Sequence, residues 1–70
     1  MDHTAFKAAR KNLGLTLAEL SRILDVDART IRKWEADENA STGRRPNPVA
    51  CRAMSWMLDG YRPKEWPKEK

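Results

Sequence analysis

The sequence predicts an all-α fold, a compact domain of four to five short helices. Three observations lead there. Apolar residues recur at helical spacing, with Leu17, Leu20 and Leu24 at i, i+3, i+7 and Phe6, Ala9 and Leu13 along one side of an earlier segment. Helix-start chemistry stands ahead of the later apolar stripes: Thr16 with Glu19 three residues on, Asp27, and Asn47 followed by Pro48. Gly14 and Gly60 stand where two of the stripes end.

In chain order, Met1 to His3 reads as a short leader and Thr4 as the cap of a first helix running to about Leu13. Lys7 and Lys11 lie on its outer side, while Arg10 falls beside the apolar stripe. Thr16 and Glu19 have the spacing of a capping box, and Leu15 and Leu20 that of a hydrophobic staple across it. Asp25-Val26 makes a tight turn. Asp27 then caps a second short helix in which Ile31 and Trp34 point inward and Ala28, Arg29, Arg32 and Lys33 remain outward. A basic face on a helix held at an angle by its neighbour is an arrangement that lets a helix enter the major groove of DNA.

After Glu35, the run through Ser41, Thr42, Gly43, Pro46 and Pro48 excludes regular structure. The last helix spans about 48–59, with Ala50, Ala53, Met54 and Met57 as its core stripe and Val49, Arg52 and Trp56 as a second face. The reading is therefore one domain over 1–60, with a pair of helices at about 16–35 and a tail over 61–70. That tail carries Tyr61 and Trp66 between prolines. It is expected to be extended and folded back on the domain, since two free aromatics would leave an exposed apolar patch.

Composition narrows the function classes. The chain has 70 residues, 14 Lys plus Arg against 10 Asp plus Glu, and a single cysteine, Cys51. One thiol and one histidine, His3, offer neither a zinc site nor a disulfide. No phosphate loop and no nucleophile with a base is present, so an enzyme is not expected, nor a cofactor, a metal or a small-molecule ligand. No apolar run has the length of a membrane span or a signal-peptide core, so a cytoplasmic, soluble protein is expected. The excess of positive charge is modest, and its placement says more than its size: Arg29, Arg32 and Lys33 share one helix, with Arg44 and Arg45 in the loop that follows.

Leu15-Thr16, Glu19-Leu20, Val26, Thr30-Ile31 and Trp34-Glu35 together make a pattern that resembles the helix-turn-helix of the Cro and phage-repressor family. The sequence departs from that pattern at Leu17, where the family usually carries a phosphate-bonding Gln, at Ser21 for Ala, and at Asp25 and Asp37 for Gly. The resemblance implies a lambda-repressor-like domain and a sequence-specific DNA-binding transcriptional regulator, in the manner of small prophage repressors. The expected partner is double-stranded DNA, bound at an inverted-repeat operator by a homodimer. An antitoxin, or another module using the fold to hold a protein partner, is the alternative.

Under this reading Ala28, Arg29, Arg32 and Lys33 read bases. Thr16, Leu17 with its adjoining backbone, Thr30, Arg44 and Arg45 meet phosphates. The resemblance further implies an ion pair between Arg10 and Glu35. Val49, Arg52, Trp56, Tyr61 and Trp66 are the candidates for the dimer surface.

Overall fold

Each helix of the molecule begins at a side chain that accepts a backbone N–H the helix itself cannot satisfy. In the computed structural model, which describes residues 1–36 and 45–68, these helices are α1 (His3–Asn12), α2 (Leu17–Leu24), α3 (Ala28–Glu35) and α4 (Pro48–Leu58). The four caps are Asp2 to the Ala5 N–H at 2.8 Å, Thr16 to Glu19 at 3.1 Å, Asp27 to Arg29 at 2.7 Å and Asn47 to Val49 at 2.8 Å. Among the described residues there is no strand, and no helix is long and apolar enough to cross a membrane.

The first cap corrects the expectation for Thr4. Asp2 is the cap, and His3 and Thr4 lie within the first turn of α1 rather than ahead of it. An ionised carboxylate both accepts the orphan N–H and complements the positive end of the helix dipole, an advantage a threonine hydroxyl lacks. The same hydrogen bond from Ala5 holds the Asp2 carboxyl below its ordinary value of 3.8.

The ends of α1, α2 and α4 share one device, a residue in the left-handed conformation. Gly14 and Gly60 have φ of 71° and 113°, and each is followed by the paired backbone bonds of a Schellman motif. At α1 these run from Gly14 N–H to the Lys11 carbonyl and from Leu15 N–H to the Arg10 carbonyl; at α4 from Gly60 to Met57 and from Tyr61 to Trp56. At α2 the left-handed position is filled by Asp25, at φ 55° and ψ 44°, and Val26 N–H returns to the Ser21 carbonyl at 3.1 Å. Ser21 then closes the turn from the other side, its hydroxyl donating to the Val26 carbonyl at 2.6 Å.

The core joins all four helices. Phe6, Leu20, Ile31, Met54 and Met57 are fully buried, one or two from each helix, with Ala9, Leu15, Trp34 and Ala50 around them. α1 packs on both α3 and α4, and α2 packs on α3. Phe6 and Trp34 meet edge to face at 5.8 Å between ring centroids, an arrangement aromatic quadrupoles favour.

The tail leaves α4 at Gly60 and turns back, with Trp66 N–H bonded to the Pro63 carbonyl, so it is bent rather than extended. Arg62 anchors it. Its guanidinium donates to the Met57 carbonyl at 2.8 Å and lies 4.2 Å from the centre of the Trp66 ring, which in turn packs against the core. The guanidinium thus satisfies a helix-end carbonyl and makes a cation–π contact at once.

Asp25 is the strained point of this frame. A left-handed L-residue costs ~1–2 kcal/mol, less for Asp than for most, and glycine returns ~0.4–1 kcal/mol of that gain as unfolded-chain entropy. Asp25→Gly is therefore expected to raise stability by a few tenths to about 1 kcal/mol in denaturant unfolding, and Asp25→Ile to lower it.

Candidate nucleic-acid interface

Three residues, Asp25 to Asp27, join α2 to α3. A connection this short, clamped by Ser21 and plugged by half-buried Val26, leaves α3 little freedom to rotate against α2. Ile31 and Trp34 fix the inner face of α3 in the core. Arg29, Arg32, Lys33 and Ala36 follow at i, i+3, i+4, i+7 on the other face, where they line one shallow hollow without an acidic side chain among the described residues. Arg29, Arg32 and Lys33 are exposed, while Ala28 and Thr30 are half-buried at the edges of this face. The arrangement offers two forked guanidinium groups and an ammonium to whatever meets α3.

The start of α2 lies on the same pair of helices. Thr16 is exposed, and its hydroxyl oxygen accepts the Glu19 N–H while its own N–H donates to the Glu19 carboxylate at 2.9 Å. The box leaves the hydroxyl hydrogen of Thr16 and the first-turn N–H of Leu17 as donors, since that N–H has no helical carbonyl four residues back. The Leu17 side chain is half-buried against the core, so only its backbone faces an anion.

Arg10 and Glu35 are brought together. The Arg10 Nε meets Glu35 Oε2 at 2.6 Å and Nη2 meets Oε1 at 3.0 Å, a two-pronged contact, while Nη1 donates to the Leu15 carbonyl at 2.9 Å. The side chains are only 12% and 7% exposed. This neutralises the carboxylate that would otherwise stand at the end of the basic helix.

Other expected residues are placed apart. Arg45 is exposed but lines a separate hollow with Met1, Asp2 and Cys51, away from the α3 face. Arg44 lies outside the described residues, as does Asp37. Val49, Trp56 and Tyr61 are 77%, 54% and 56% exposed, and Arg52 is exposed beside them. Trp66 sits elsewhere, half-buried on its own domain beneath Arg62.

The sequence reading missed one contributor. Ser21 stood out only as a departure from a pattern, and its bond to Val26 depends on a turn no spacing rule describes. Lys7 and Lys11, on the outer side of α1, line a hollow with Glu35 at the end of α3, a neighbourhood set by the packing of α1 on α3.

A family model described as helix-turn-helix matches residues 6–45, which is 40 of the 70 residues and includes α2, the turn and α3. The chain belongs to the helix-turn-helix family of the Cro type. No curated protein and no solved structure matches it. Membership makes it a DNA-binding regulatory protein, a class that works by binding rather than catalysis. The matched stretch contains the paired helices α2 and α3 with the turn between them.

The ion pair sets how firmly α3 is held. Removing one partner of a largely buried pair leaves the other uncompensated, at ~3–5 kcal/mol. Arg10→Met and Glu35→Leu are each expected to be strongly destabilising in denaturant unfolding, and the double variant much less so than their sum. Additive effects would show that the two side chains do not act as a pair.

Proposed function

We propose that this helix-turn-helix protein is a cytoplasmic transcriptional repressor that reads a specific operator as a homodimer on an inverted repeat. The observation that carries the reading is the outward stripe of Arg29, Arg32 and Lys33 on a short helix whose other face is locked in the core. A solvated helix has no need of three cations without an acid among them. A helix entering the major groove presents just such a stripe to base edges.

Arg29 and Lys33 read bases, Ala28 offers a methyl contact, and Arg32 serves base or phosphate. Thr16, the Leu17 backbone and Thr30 position the motif on the phosphate chain, and Arg44 and Arg45 add attraction that is blind to sequence. A module that only holds a protein partner would have no need of Arg29, Arg32 and Lys33 together.

Arginine forked on guanine O6 and N7 is the commonest specific contact, so Arg29→Ala is expected to weaken operator binding by ~1–3 kcal/mol and to relax preference at one base pair. Equilibrium binding to the operator and its single-base variants measures both. Unchanged affinity and preference would remove Arg29 from base reading.

One recognition helix carries too few base-reading side chains to select a site in a genome, whereas two multiply the discrimination. Selection from random duplexes is accordingly expected to recover inverted repeats with half-site centres ~10 base pairs, or a multiple of that, apart. Recovery of lone half-sites would overturn the dimeric reading.

A further inference from the structure

The outer face of α4 carries a charge pattern complementary to its own reverse. Arg52, Trp56 and Asp59 fall at i, i+4, i+7 and so share one face, all three exposed. Trp56, Asp59 and Tyr61 line a single open hollow, where the Trp56 and Tyr61 rings meet edge to face at 6.5 Å. Among the described residues neither Arg52 nor Asp59 has an ion-pair partner. Asp59 also sits at the carbonyl end of α4, where a negative charge opposes the helix dipole, so its own helix gains nothing from it.

These observations favour a second copy of this chain as the occupant of the face. When two identical helices lie antiparallel across a two-fold axis, each residue on one side of the centre meets its counterpart on the other side. An axis crossing α4 midway between residues 52 and 59 sets Arg52 of each copy against Asp59 of the other, with the two Trp56 rings side by side at the centre. The seven-residue separation spans about 10 Å of helix, enough to put an ion pair on either flank of an aromatic centre. Val49, beyond Arg52, then approaches the Tyr61 end of the other copy. Tryptophan, tyrosine and arginine are also the residues that most often dominate the centre of a protein interface.

We propose that the homodimer is an isologous, antiparallel α4–α4 pair centred on Trp56 and keyed by reciprocal Arg52–Asp59 ion pairs. This rests on the dimeric reading above and deepens it by naming the register. Charge reversal on the full chain tests it, by sedimentation equilibrium in the absence of DNA. Arg52→Asp and Asp59→Arg are each expected to weaken self-association roughly tenfold or more, since both copies of the pair become repulsive.

Mixing the two single variants is expected to restore a dimer. One chain then carries two acids at these positions and the other two bases, so both cross-contacts are attractive. The doubly reversed chain is likewise expected to self-associate as the unaltered chain does. Both positions are exposed, and an unchanged thermal melt establishes that each variant is folded; if one is not, Arg52→Glu and Asp59→Lys carry the same test.

A wild-type dimer that neither reversal weakens, or that mixing does not restore, overturns this register and leaves the dimeric reading standing. A wild type that stays monomeric with and without operator DNA overturns both. Base reading by α3 is judged separately, by Arg29→Ala.

Discussion

The molecule depends on one buried contact between distant parts of the chain, the guanidinium of Arg10 on the carboxylate of Glu35. Arginine suits the place because its donors lie in a rigid plane, so a single side chain can serve several acceptors without adjusting between them. Here two donors hold the end of α3 and a third holds the Leu15 carbonyl, where the chain enters α2. The guanidinium therefore ties three segments: the helix that bears it, the approach to α2, and α3. Phe6 and Trp34, on the same two helices, meet edge to face in the core and give that tie an apolar counterpart. A charged pair set in such surroundings does less for net stability than for uniqueness, because a shifted α3 would leave both charges stranded.

Around that tie, the positions of the helices follow from local chemistry. The capping box at Thr16 and Glu19, the staple of Leu15 and Leu20, and the Asn47-Pro48 start were legible because each is a rule about residues within one turn of one another. The outward stripe of α3 was legible for the same reason, since helical spacing alone separates it from Ile31 and Trp34. Where two caps compete the spacing does not choose. Thr4 and Asp2 both precede the first stripe, and the stronger electrostatic partner of the helix dipole won.

What the sequence could not convey is long-range and directional. Ser21 differs from an ordinary helix residue only because the chain turns back to bring the Val26 carbonyl within its reach. Arg62 and Trp66 are four residues apart in a segment without helical or strand period, and their stacking exists because the tail folds under itself. The division between Trp66, covered by its own chain, and Trp56, left open, has the same origin. Both are tryptophans near the end of the chain, and only the path of residues 61–66 tells them apart. Arg45 belongs here too, because its direction is set by how the chain enters α4 and not by its neighbours in sequence.

The outer face of α3 has a consequence for how such a protein changes over evolutionary time. Arg29, Arg32 and Lys33 make no side-chain bond within the described fold, whereas Ile31 and Trp34 hold α3 in the core. On a helix of eight residues, the positions that hold the fold and those that face outward are therefore separate sets. Exchanging the exposed set alters the outward surface without loosening the frame, since exposed substitutions away from such contacts rarely shift stability by more than about 0.5 kcal/mol. A lineage can thus change the surface of α3 one exposed residue at a time while every intermediate remains folded.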